Sequence, residues 1–205
     1  MAAGNCIKGS VYSAAVEDVN KLFASDELSQ DQAKNWLEEA DFALLEQVIG
    51  LASWYDIRSY DRLNCLLRDV GGGGRNEYLR EKGRDTARRL LEMGLYSQLE
   101  YLQHAKFVEA EGANERFEAF GRDLARLSTI SASILNFSRW KSCPDPDVDR
   151  RYVIEVNDAR EFPETLAWRS DGFVNEMGAQ HGAHDLWSWS RERPDLIVFR
   201  MDREI

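Results

Sequence analysis

The stretch from Tyr152 to Arg203 constrains the fold of this chain more than any other. Tyr152, Ile154 and Val156 alternate with Val153 and Glu155, the two-residue repeat of a strand. Phe173, Val174 and Met177 then follow helical spacing within Trp168 to Gln180, and Gly182 is placed to stop that helix. Leu186 to Ser190 and Leu196 to Met201 are strand-like runs joined by Arg191-Glu-Arg-Pro-Asp, a hairpin signal with Pro194 at the turn. Strand, helix and hairpin in that order demand a sheet. The preceding chain supplies little else but helices to cover it.

Those helices announce themselves by period and caps. Val11, Ala15, Val16, Val19, Leu22 and Phe23 predict a helix over Ile7 to Phe23. Ser29 with Gln32 forms a capping box for a short helix through Trp36 and Leu37. Asp41 is placed to cap a helix whose face is Leu44, Leu45, Val48, Ile49 and Ala52, running out at Ser53-Trp54-Tyr55-Asp56. Ser59 is placed to cap the next, along Tyr60, Leu63, Leu66, Leu67 and Val70. Gly71 to Gly74 interrupt the pattern as a connector, and Asn76 is placed to cap the helix after them. Helical spacing continues across Gly83 to Leu91, breaks at Gly94, and resumes over Leu95 to Ala110. Asn114 opens a long helix through Phe117, Phe120, Leu124, Leu127 and Ile130. Ile134 to Trp140 is expected as a strand, and Cys143-Pro-Asp-Pro-Asp as a turn. The expected fold is one α+β domain over 1–205. A mainly helical portion, 1–130, packs as a layer on a small, mainly antiparallel sheet carried by the strand-helix-hairpin portion, 131–205.

Charge excludes some partners. With 26 basic and 36 acidic residues the chain carries −10, whereas phosphate backbones and anionic lipid both require basic surfaces. Nucleic acid is therefore not expected as a partner. The Arg80 to Arg89 cluster mixes Glu81 and Asp85 among its cations, as a solvated helix face does. Three scattered cysteines, Cys6, Cys65 and Cys143, have neither the spacing of a zinc site nor the number of a disulfide framework. Reduced thiols and a cytoplasmic location are expected. No apolar run is long enough for an integral membrane segment, and MAAGNCIKGS lacks the apolar stretch of a signal peptide.

Catalytic constellations are not evident. Gly71 to Gly74 lack a following Gly-Lys-Ser/Thr and a preceding strand, so a phosphate loop is not expected. His181-Gly-Ala-His184 is broken by glycine, and no further ligand stands beside it, so no metal is expected. His104, among apolar residues of its helix, is a candidate axial haem ligand, weighed against an ordinary packed histidine. There is no Gly-x-Ser-x-Gly elbow, and Cys65 falls on the periodic face of its helix. No cofactor and no enzyme activity are expected. The abundant aromatics, six Trp, seven Tyr and nine Phe, suit an apolar pocket or a subunit contact as well as a core. Trp54, Tyr55, Trp168, Phe173 and Met177 are the candidate ligand-binding residues.

The order of elements resembles the superfamily that joins haem-nitric-oxide-binding domains, four-vinyl-reductase domains and transport-particle (TRAPP) subunits. Within it the chain is most similar to a bacterial family of myxobacterial type. The matching pieces are Lys8-Gly9-Ser10-Val11, Ser53-Trp54-Tyr55, Arg84 to Leu91, Asp171-Gly172-Phe173 through Gly182, and the final hairpin. The haem branch has Tyr-x-Ser-x-Arg before its Gly-Leu helix start. Counting back from Gly172-Phe173, those places hold Leu166, Trp168 and Ser170, so the resemblance does not carry haem over. It implies a regulatory or sensory module that binds a small apolar ligand or a protein partner. The alternative it implies is a dimeric interaction scaffold without a ligand, like the transport subunits.

Overall fold

The structure, a computed structural model, describes residues 4–92, 113–180 and 182–204. Its architecture is α+β. A short strand β1 (Cys6–Lys8) leads into α1 (Gly9–Ala24), followed by α2 (Gln30–Ala33) and α3 (Glu39–Leu45). Strand β2 (Trp54–Asp56) runs antiparallel to β1, with Ile7 opposite Tyr55. Next come α4 (Ile57–Leu66), a π-helical turn over Leu67–Gly71, α5 (Asn76–Glu92) and α6 (Ala113–Ile134). The C-terminal part is β3 (Arg139–Pro144), β4 (Tyr152–Asn157), α7 (Glu164–Gln180), β5 (Trp187–Arg193) and β6 (Leu196–Met201). Its sheet has the order β3-β4-β6-β5, every pair antiparallel.

Local chemistry explains most of these boundaries. Ser29 and Gln32 make the capping box, although α2 ends at Ala33 rather than continuing to Leu37. Gly182, at φ +76°, ends α7 with paired bonds from Ala183 N to Gly178 O and Gly182 N to Ala179 O, a Schellman closure. Pro194 and Asp195 form the two-residue turn between β5 and β6, and β5 extends through Arg193 with a bulge.

Tertiary contacts moved several expected boundaries. Ile7 leaves the first helix because its backbone pairs with Tyr55 and bridges Leu135. The helix expected through Ala52 stops at Leu45, and Val48 is fully exposed instead of buried. The segment is turned back so that the Leu51 and Ser53 carbonyls accept from the backbone amides of Ser10 and Gly9. Asp56, not Ser59, caps α4 by accepting from Arg58 N, which frees Ser59 for a buried role. Helix α6 extends to Ile134, so the strand expected from there begins only at Arg139, and Cys143 and Pro144 belong to it. The break at Gly94 and the helix over 95–110 fall outside the described residues.

Two glycines fix the crossing of α5 and α7. A Cβ on Gly83 would lie 2.0 Å from the Arg169 carbonyl oxygen, and one on Gly172 1.8 Å from that of Arg80. The two backbones thus touch, each glycine facing the other helix's peptide. Between this helix pair, α6 and the sheet lies one cluster of buried apolar side chains, with Trp187, Phe120 and Phe199 among its largest members.

Candidate functional site

That cluster is not filled. A cavity opens where β1, α4, α5, α6, β3 and α7 converge. It encloses about 700 Å³ including its open mouth. Helix α6 supplies Leu124, Ser128, Ile130, Ser131 and Ile134, and the helix pair supplies Gly83, Thr86, Leu166, Phe173 and Val174. Ile7, Tyr60, Trp140 and Ile154 close the remaining sides, together with Arg169 and Ser170.

Polar atoms in the wall fall into two groups. The hydroxyls of Thr86, Ser128 and Ser131 donate within their own helices, to Lys82 O, Leu124 O and Ser128 O. Their protons are thereby engaged, and their oxygens remain able to accept. Arg169 and Trp140 differ. Arg169 is 3% exposed, and of its guanidinium only Nη1 has a hydrogen bond, donated to Tyr60 Oη at 3.3 Å. Its Nε and Nη2, and the indole Nε1 of Trp140, are buried without an acceptor. Nη2 stands 3.9 Å from Asp18 Oδ2, too far for a hydrogen bond. Asp18 is itself held by Lys21 at 3.1 Å and Lys82 at 3.2 Å. Each unmet buried donor costs about 1–3 kcal/mol, more on a charged group.

Behind Tyr60 runs a second polar chain whose members are all satisfied. Tyr12 and Ser59 share a hydrogen bond of 2.6 Å, and Ser59 donates to Asp41 at 2.5 Å. Arg62 donates to both Asp41 oxygens, at 2.6 and 2.9 Å, and Glu38 N donates to Oδ2. Burial alone would raise the Asp41 carboxyl, but Arg62, Ser59 and the Glu38 amide hold it below the ordinary carboxylate range. Burial pushes the Tyr12 phenol up to about 12, so it stays neutral. This chain ties α1, α3 and α4 together and is structural. On the far side of the helix pair, burial pushes the Asp171 carboxyl up to about 6 against the pull of Arg80, whose Nε is 2.5 Å away.

Of the residues singled out from sequence, Phe173 lines the cavity. Met177 is buried in the core one turn along α7. Trp168 lies on another face of that helix, edge-on to Trp189 at 5.4 Å and donating to Glu164. Tyr55 stacks on Tyr12 at 4.6 Å, its hydroxyl accepting from Gly50 N. Trp54 is exposed on β2 beneath the Lys8 ammonium, 4.0 Å from the ring centre. The structure therefore does not gather the five into one site. Among the places compared with the haem motif, Leu166 and Ser170 face the cavity and Trp168 does not.

Sequence reading passed over Arg169 and Trp140, and for Arg169 a signal was present. Leu166, Arg169, Ser170, Phe173, Val174 and Met177 form one stripe of α7 at helical spacing, and a lone arginine interrupts it. His184 sits on an exposed turn, while His104 and His181 lie outside the described residues. Among the described residues no group of three metal-ligating side chains comes together.

No family model and no curated protein matches the chain. Solved structures do. An H-NOX protein from S. oneidensis, determined in its Fe(II)NO ligation state, is similar at a TM-score of 0.56 and 6% identity, over 96% of this chain and 98% of its own. A point mutant of the T. tengcongensis H-NOX protein is similar at 0.53 and 11%, over 97% of this chain and all of its own. A further H-NOX structure, from work on haem distortion in that family, is similar at 0.53 and 13%, over 97% of each. At these identities the likeness is one of fold: the helices, sheet and strand-helix-hairpin ending of this chain are arranged as in H-NOX domains.

Proposed function

We propose that this chain is a non-enzymatic sensory module that takes a small molecule into the cavity between its helices and its sheet. The observation that carries the reading is the cavity itself. Its wall is mainly apolar and it is continuous with the core. A core packed for stability alone leaves few voids larger than a water molecule. The solved proteins of the same fold, one of them held with NO on its iron, support ligand sensing as the use of this architecture. The three cysteines, all free, support a reducing, cytoplasmic setting. Among the described residues no helix is long and apolar enough to cross a membrane.

Haem is left out of this reading. Among the described residues no histidine or cysteine lines it. Leu166 and Ser170 present neither a phenol nor a guanidinium to a propionate. The reading is of a small, metal-free ligand.

A second reading, a dimeric scaffold for a protein partner, draws on Val48, Leu51 and Trp54, large apolar residues left exposed along one connecting segment and β2. Native mass spectrometry of the purified chain separates the two. A retained small molecule of discrete mass is the expected result. A ligand-free dimer that no small molecule stabilises would replace the sensor with the scaffold. A Soret band in the absorption spectrum would overturn the exclusion of haem.

A further inference from the structure

We infer that the cavity takes an uncharged, hydrocarbon-like molecule, held by close packing and by no ion pair or hydrogen bond to the wall. The inference rests on the sensory reading of this cavity and gives its ligand a chemical class.

The charge and the N–H groups of the wall are covered. Arg169 is the single charged residue in the described wall, and its guanidinium lies between Tyr60 and Asp18. Nη1 donates to Tyr60 Oη at 3.3 Å, Nη2 stands 3.9 Å from Asp18 Oδ2, and neither Nε nor Nη2 presents accessible surface. The indole Nε1 of Trp140 is covered as well, so this residue offers the cavity its ring and not its N–H. The hydroxyl protons of Thr86, Ser128 and Ser131 are committed to carbonyls of their own helices. What meets an occupant is mostly carbon, from Val11, Leu124, Ile130, Ile134, Leu166 and Val174.

Such a wall selects by exclusion. A carboxylate or an ammonium group entering it gives up its water and is offered no donor or counter-charge in return, which disfavours both. A hydroxyl is penalised less, because a serine oxygen can still accept its proton. Carbon is not penalised at all: its surface leaves water for a wall that packs against it. Water itself needs several polar partners to stay in a cavity, and an apolar void that cannot supply them stays dry and admits apolar guests. The same features that leave the space unattractive to water therefore leave it open to hydrocarbon.

Isothermal titration of the full chain with benzene, phenol, benzoate and benzylamine tests this, with thermal unfolding as a parallel readout. The four probes share a ring and differ in the polar group it carries. Benzene is expected to bind and to raise the unfolding temperature, about tenfold or more tightly than phenol, and neither charged probe to bind. Xenon, an apolar probe without shape, locates the site by NMR: the methyl resonances of Leu124, Ile130, Ile134 and Val174 should shift under xenon pressure, and those of the exposed Val48 and Leu51 should not. Ser131→Leu puts carbon into the same space and should weaken benzene binding about tenfold or more. The xenon shifts carry the test if that variant does not unfold cooperatively. Phenol, benzoate or benzylamine binding as tightly as benzene overturns the hydrocarbon assignment and leaves the sensory reading with a polar ligand. Xenon shifts confined to Val48 and Leu51, or benzene affinity undiminished in Ser131→Leu, remove the hydrocarbon from this cavity and overturn the inference. Failure of every probe, xenon included, to bind overturns both this inference and the sensory reading.

Discussion

Replacing Gly172 by alanine tests the contact on which the helix pair, and with it the cavity, depends. The new Cβ would stand 1.8 Å from the Arg80 carbonyl oxygen, whereas a carbon and a carbonyl oxygen approach to about 3.3 Å. The helices must separate by about 1.5 Å there, and the obstacle is backbone, so no rotamer relieves it. Overpacking of this kind costs about 1–3 kcal/mol. Parting α5 from α7 also strains the Arg80–Asp171 ion pair that spans them. Alanine returns about 1 kcal/mol in helix propensity. A net loss of about 1 kcal/mol should lower the unfolding temperature by about 2–4 °C for a chain of this size. Urea unfolding followed by circular dichroism should show the midpoint fall with little change in slope. Gly83→Ala, 2.0 Å from Arg169 O, should cost a similar amount. The double variant should lose less than the sum, because one separation relieves both clashes. Gly4→Ala, whose Cβ meets nothing within 4 Å, is the control and should stay within about 0.5 kcal/mol. A Gly172→Ala protein as stable as the parent would show that the helices are not in backbone contact. The placement of Arg169 against Gly83 would then fall with it.

Asn175 is fully buried in α7, donating to Trp187 O and accepting from Trp187 N, so Asn175→Ala should leave that strand's peptide unpaired and cost about 2–4 kcal/mol in denaturant unfolding. For Asp41, whose folded pKa lies below the unfolded value, the stabilisation is present above about pH 3.8 and lost as pH falls through the folded pKa. Asp41→Asn should therefore destabilise at neutral pH and flatten the acid limb of a stability–pH curve. Asp171 has the opposite sign: with a folded pKa of about 6, the native state binds the extra proton between about pH 4 and 6, so its contribution falls as pH rises through that window. The local slope should be missing in Asp171→Asn, and its persistence there would assign it to another group.

Much of the fold was legible in the chain because it rests on local rules. The Ser29–Gln32 capping box, the Gly182 stop, the Pro194–Asp195 turn and the alternation over Tyr152–Val156 each act within a few residues, and each stands where the pattern placed it. The order and type of elements came from such rules, and with them the H-NOX-like arrangement. Boundaries failed where a distant partner competed. Ile7 has helical neighbours but pairs with Tyr55; Val48 has helical spacing but lies in a segment turned back onto the start of α1.

The site shows the same division more sharply. Aromatic residues advertise themselves in a sequence, yet whether Trp54 or Trp168 faces a cavity depends on which side of its element meets another layer. Composition is silent on that. The sequence by itself determined that Phe173, Val174 and Met177 would share one inward face of their helix, since a helical period leaves that stripe no other way to leave water. Only the tertiary structure decided that α5, α6 and β3 would stop short of filling the space before it, and that Arg169 would be left there with two donors unmet. A void is the gap among several elements far apart in the chain, and no single segment encodes its size.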